Sequence, residues 1–247
     1  MLKVKQNLHI TGLHKLYLPV TNAKATAAWF RRHFGLISVG SESNSETLRL
    51  EEGALLTLVE GGKLNAYDAI TIQIKAHDAL KAYHALDLTE VKASEPEKFH
   101  QYTDFNVRDP DGSVLGVISD PAWPNTPNNY FKLDGVFITV KDIERAFAWY
   151  NDILGAGVEY EFTFATETLS EARHICYLGI PVSMVESVNG EYNYRICDYL
   201  TEDISADYAY LRGKNVKVTE LRKTDGGTRF EFYDLDGREF GLVQLAG

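Results

Sequence analysis

Two stretches bring carboxylates together at short spacing: "DPDGSVLG", Asp109 to Gly116, and "DLDGREFG", Asp234 to Gly241. Pairs such as Asp109 with Asp111, or Asp234 with Asp236, have the composition of a general acid and base. The neighbouring residues favour a turn instead. Pro110 presets the backbone, the aspartates accept hydrogen bonds from nearby amides, and Gly112 and Gly237 tolerate unusual dihedrals. The final glycine of each stretch carries more chemistry. Gly116 or Gly241 stands four places after each turn glycine and opens space on one face of a strand. Other titratable candidates are weaker. His14 stands on an alternating strand, and Glu60 and Glu186 are matched residues near strand ends. His100 and His174 have no acidic or histidine partner at metal spacing and are expected to be polar strand positions. Cys176 and Cys197 lie in apolar runs without zinc-type spacing and are expected to be buried thiols.

The elements that carry these residues are written twice. "VTNAKATAAWFRRHFGL" starts at Val20 and "VKDIERAFAWYNDILGA" at Val140. Without gaps, Val20 aligns with Val140, Ala28 with Ala148, Trp29 with Trp149, Phe30 with Tyr150 and Gly35 with Gly155. "LTLVEG" then lies against "VSMVES", and the turn phrases align at Gly112 and Gly237. "KLYLPV" alternates as a strand does. The helix after it starts at Asn22, a good N-cap, and stops at Gly35. Its expected apolar stripe is Ala25, Ala28, Trp29 and Phe30, and the repeated aromatics are expected in the core. Continued through the chain, the pattern gives four βαβββ units and an α+β fold. A first half is expected over 1–122, a linker over 123–130 and a second half over 131–247. Paired units should form two curved mixed sheets with helices outside, and a hollow sheet suits a small-molecule ligand.

The chain has 247 residues, 45% hydrophobic and 24% charged, enough for a core without staples. Its formal charge is -10. Residues 1–123 hold 13 Lys+Arg and 15 Asp+Glu, while 124–247 hold 12 and 20, giving -2 and -8. Clustered cations are what a nucleic-acid backbone needs, so no nucleic-acid partner is expected. No apolar run approaches a membrane span and the start lacks a signal-peptide core, so no membrane partner and a cytoplasmic location are expected.

The βαβββ order, the "V-x-D/N" and "A-W-F/Y" helix signature and the "D-x-D-G" hairpin together resemble the vicinal oxygen chelate superfamily, which includes glyoxalase, bleomycin-resistance and extradiol dioxygenase proteins. The resemblance covers roughly Leu13 to Leu245, as a tandem two-half member. It implies a divalent metal in each curved sheet, with a ligand five residues before the valine of "V-x-D" and a glutamate four residues after the glycine of "D-P-D-G". Carried over, those positions are Lys15, Thr57, Ala69 and Gly116 in the first half, and Gly135, Ser183, Arg195 and Gly241 in the second. None is an ordinary metal side chain; only Thr57 and Ser183 could ligate, weakly. The metal-dependent chemistry of the superfamily is therefore not expected, and no cofactor is expected.

Side chains two residues on share a face, which adds Tyr17, Phe137 and, by the same parity, Cys197. Glu239 joins Gly241. The expected ligand-binding set is Lys15, Tyr17, Thr57, Phe137, Ser183, Arg195 and Glu239. Arg195 and Glu239 form either a structural ion pair or a site in which Arg195 holds a carboxylate or phosphate. The expected function is binding or sequestering of a hydrophobic or aromatic small molecule by a monomer or homodimer. Two alternatives stand beside it. One is a lyase or oxygenase whose metal is held by displaced ligands such as His14 and Glu60. The other is an interaction protein whose cavities are filled by side chains.

Overall fold

The computed structural model describes residues 7–50, 53–61, 70–99, 102–119, 131–164, 173–186 and 194–247. The first repeat is β1 (Ile10–Val20), α1 (Ala23–Phe34), β2 (Ile37–Glu42), β3 (Ser45–Arg49) and β4 (Leu55–Glu60). The second is β5 (Ile70–Ala76), α2 (Ala79–Ala85), β6 (Lys92–Ala93), β7 (Glu97–Phe99), β8 (Tyr102–Arg108) and β9 (Val114–Ser119). The third is β10 (Lys132–Val140), α3 (Ile143–Leu154), β11 (Val158–Phe164), β12 (Arg173–Leu178) and β13 (Val182–Glu186). The fourth is β14 (Arg195–Thr201), α4 (Ile204–Gly213), β15 (Arg222–Thr224), β16 (Gly227–Tyr233) and β17 (Glu239–Leu245). The four-unit α+β architecture is therefore present. The expected linker, 123–130, and Ala69 lie outside the described residues.

Two mixed sheets form. One has the order β15-β16-β17-β14-β1-β4-β3-β2, the other β11-β12-β13-β10-β5-β9-β8-β6, with β7 on β8. Within a repeat the first strand runs parallel to the last, as in β1 with β4, β5 with β9 and β14 with β17. The helix makes the crossover that a parallel pair requires. By contacts the chain divides into two compact units, Lys15–Val136, and Met1–His14 with Phe137–Gly247.

Helix starts match the sequence closely. Asn22, Asp78, Asp142 and Asp203 each accept a hydrogen bond from an amide three residues on, which satisfies a donor at the helix opening. Gly35 and Gly155 end α1 and α3 in the left-handed region. The apolar stripe of α1 differs from expectation. Ala23, Thr26, Ala27, Phe30 and Phe34 are buried, whereas Ala25 and Ala28 are exposed. The cap at Asn22 fixes the helical phase, and the buried face follows the i, i+3, i+4, i+7 rule from Ala23. Trp29 and Trp149 are half-buried rather than central. Trp29 covers the edge of the stripe, with ring contacts to Phe30, His33 and Phe34.

The two "D-x-D-G" turns have the same backbone plan. Oδ1 of Asp109 accepts from the amides of Asp111 and Ser113, and Oδ1 of Asp234 from those of Asp236 and Arg238. Gly112 and Gly237 have φ of 88° and 84°, which a side chain would strain. The turns also tie down helices. Asp111 accepts from the hydroxyls of Thr21 and Thr26 at the start of α1. Asp234 accepts from the hydroxyl of Tyr150 on α3 at 2.9 Å. These four carboxylates are thus turn and docking groups.

Candidate functional site

The strands of the fourth repeat have two contrasting faces. Phe230, Phe232, Phe240 and Leu242 are fully buried, and α4 packs on that side through Tyr208 against Phe230. The other face carries Arg229, Glu231 and Tyr233 from β16, and Glu239, Gly241 and Val243 from β17. Gly241 is level with Glu231 on one side and with Asp198 of β14 on the other.

Asp198 is there because of an irregularity. The β14–β17 register shifts between Arg195 and Asp198, so residues three apart share a face. The strand parity that pointed to Cys197 fails at this shift. Cys197 is instead fully buried beside Tyr199, and that burial raises its thiol pKa. Gly241 makes room for Asp198: a Cβ on Gly241 would lie 2.1 Å from Asp198 Oδ1. The glycine therefore admits a carboxylate from the adjacent strand.

The result is a dense ionic network. Arg195 donates from Nε to Glu239 at 2.8 Å, from one terminal nitrogen to Glu231 at 2.9 Å and from the other to Asp198 at 3.4 Å. Arg222 donates to both oxygens of Glu231. Thr219 donates to Glu231 Oε2 at 2.7 Å, and Tyr233 to Glu239 Oε2 at 3.1 Å. Arg229 approaches Asp198 at 3.5 Å and Glu231 at 3.4 Å. Burial, with Glu239 second, raises the Tyr233 phenol pKa. The carboxylates of Asp198 and Glu231 are 0% and 3% exposed, and the surrounding guanidiniums offset the cost of burying them.

The corresponding places in the other repeats have different chemistry. Gly116 is level with Gln73 and Asn106, two neutral amides. Thr57 is level with Tyr17 and Thr47, and the two threonine hydroxyls are 3.0 Å apart. Lys15 lies over the Tyr17 ring at 5.8 Å and pairs with Leu55, a strand position two residues before Thr57. Ser183 is buried and level with Tyr177, whose ring meets Phe137 edge-on at 5.3 Å. The expected set thus falls into three clusters: Lys15, Tyr17 and Thr57; Phe137 and Ser183; Arg195 and Glu239. Sequence reasoning found the Arg195–Glu239 pair and missed Asp198, Arg222, Arg229, Glu231 and Tyr233. The alternation in "TRFEFYD" was the available signal, because it places Arg229, Glu231 and Tyr233 opposite Phe230 and Phe232.

Residues 132–242 match the family model of the Glyoxalase/Bleomycin resistance protein/Dioxygenase superfamily. The chain carries this match in its third and fourth repeats. Its fold is similar to that of glyoxalase I from Zea mays, at 18% identity and TM-score 0.65, covering 94% of this chain and 92% of that one. It is also similar to a candidate dioxygenase from Bacillus subtilis, at 12% identity and TM-score 0.70, covering 97% and 87%. At such identities the likeness is one of fold. No curated protein matches the sequence.

A metal centre of the kind the resemblance implies does not fit the described donor groups at Gly241 and Gly116. At Gly241 the neighbouring carboxylates are spent on guanidiniums, and at Gly116 the neighbours are amides. Among the described residues, no three or more His, Cys, Asp or Glu side chains are grouped to hold a metal. Glu60, a displaced-ligand candidate, accepts from the amide of Ala23 at 2.8 Å and serves the opening of α1. Among the described residues, no helix is long and apolar enough to cross a membrane.

Proposed function

We propose that this chain is a member of that superfamily and binds a small molecule on the faces of its sheets without a metal ion. One observation carries the proposal. Where the superfamily resemblance calls for a metal-binding glutamate, Gly241 instead admits Asp198, and arginines neutralise the carboxylates around it. A divalent cation would have to displace Arg195 and Arg229 from Asp198. The aromatic face of Phe137 and Tyr177 supports a ligand with an apolar or aromatic body. Sequestration, with no bond made or broken, is the simplest activity such faces support.

The test is a thermal-shift screen of aromatic small molecules, run in parallel with and without a chelator. The expected result is a concentration-dependent rise in melting temperature for a subset of compounds, unchanged by chelation. Stabilisation that vanishes with the chelator and returns with one added divalent metal would overturn metal independence. A screen in which no compound shifts the transition would favour filled faces and an interaction role.

A further inference from the structure

We infer that the Gly241 face takes an anionic oxo group, a carboxylate or a phosphate, on the guanidinium of Arg229. The inference rests on the small-molecule reading above and names the chemistry of one end of the ligand.

Hydrogen-bonding capacity on this face is spent unevenly. Every oxygen of the three carboxylates already has a donor. Asp198 Oδ1 is met by Arg195 and Oδ2 by Arg229. Glu231 Oε1 is met by Arg195 and Arg222, and Oε2 by Thr219 and Arg222. Glu239 Oε1 is met by Arg195 and Oε2 by Tyr233. A cationic or donor-rich ligand would have to compete for each of these oxygens.

The donors are less fully used. Arg195 is engaged through all three nitrogens, which makes it the anchor of the network. Among the described residues Arg229 has two long ion-pair contacts, both through one terminal nitrogen, at 3.5 Å and 3.4 Å. Its Nε is buried and has no hydrogen-bond partner among the described residues. A buried N–H without an acceptor is costly, and an anionic acceptor relieves it best. The Arg229 side chain as a whole is 26% exposed, although Nε itself is covered.

Arg195, Arg222 and Arg229 balance Asp198, Glu231 and Glu239 in number, so the anion is recognised by the unused donor of Arg229 rather than by excess charge. Lys217 adds a cation 4.1 Å from the centre of the Tyr233 ring. Gly241 contributes by holding Asp198 close to Arg195 and Arg229, which fixes the guanidiniums in place.

The test uses naphthoate, naphthyl phosphate and the neutral naphthamide, titrated into the full chain and followed by the Nε–H resonances of its arginines. Wild type, Arg229→Gln and Arg229→Lys are compared. The expected result is that at least one anionic probe binds about tenfold more tightly than naphthamide and moves the Arg229 resonance. Arg229→Gln should remove that preference while keeping naphthamide binding, and the two anions distinguish carboxylate from phosphate. Equal binding of all three probes, with the Arg229 resonance unmoved, would overturn the inference and leave the small-molecule reading standing. No binding of any probe to the folded wild type would overturn both. The wild-type resonance decides the matter even if the variants fold poorly.

Discussion

Asp109 and Asp234 occupy the same place in two hairpins of one shape, and they live in different electrostatic surroundings. Oδ2 of Asp234 accepts from Tyr150 and from Arg238, and Arg238 reaches on to the carbonyl of Thr139 at 2.6 Å. In the first copy Phe30 aligns with Tyr150, and Ser113 with Arg238. Oδ2 of Asp109 is buried without a partner among the described residues, and burial pushes its pKa up to about 6. The same split appears at the last glycine of each phrase. Gly241 is flanked by Asp198 and Glu231 among arginines, Gly116 by Gln73 and Asn106. The duplication kept the backbone device and changed the chemistry it displays. The copy with ionised partners is the one to which we assign ligand recognition.

The largest expected effect breaks the stronger hairpin. Asp234→Ala removes the buried acceptor of Tyr150, of two turn amides and of Arg238, which keeps the partly exposed Asp236 at 3.0 Å as a carboxylate partner, and should cost about 3–5 kcal/mol in urea unfolding. A loss similar to that of a surface aspartate would mean that the network contributes little.

Gly241→Ala probes the glycine itself. Its Cβ would overlap Asp198 Oδ1, and overpacking of this kind should cost about 1–3 kcal/mol. In an Asp198→Ala background the same substitution should cost clearly less. Additive losses in that double-mutant cycle would dissociate Gly241 from Asp198.

Asp109→Asn should act in the opposite direction. The folded pKa is raised from 3.8 to about 6, so ionisation disfavours the folded state, and stability is lost as pH rises through that value. The variant should match wild type near the unfolded pKa and gain up to about 3 kcal/mol above the folded one. A gain that is independent of pH would contradict the assignment.

The smallest effect concerns the start of β1, whose preceding residue His9 donates from its backbone amide to Asp207 at 2.9 Å, with ring Nδ1 2.8 Å from the same oxygen. The hydrogen bond and charge of Asp207 raise the His9 pKa. Its stabilising contribution is therefore complete below the unfolded value and fades as pH rises through the folded one. The melting-temperature gap between wild type and His9→Gln should narrow accordingly from about pH 5 to about pH 8. A gap that widens over this range would reverse the proposed linkage.

Much of the fold was legible because its signals are local. Asn22 and Asp142 cap helices, Gly35 and Gly155 end them, and the two "D-x-D-G" phrases fix hairpins. The stripe of α1 was misphased because Ala25 and Ala28 are apolar without being buried, and composition does not distinguish them from Ala23 and Ala27. The candidate site was half legible. Arg195 and Glu239 emerged from strand parity. Asp198 did not, because the register shift before it breaks the two-residue alternation on which parity depends. Arg222 is level with Arg229 on the paired strand β15 and Thr219 lies outside the strands, so pairing across the hairpin, and not spacing along one strand, brings them to Glu231.

The central claim is that guanidiniums, and not a metal ion, neutralise the carboxylates at Gly241. Elemental analysis tests it most directly, after the full chain has been equilibrated with micromolar zinc, nickel, iron and manganese and separated from free ions. The expected metal-to-protein ratio is near zero for each ion, unchanged in Asp198→Ala. One tightly held metal per chain, lost in Asp198→Ala, would contradict the claim.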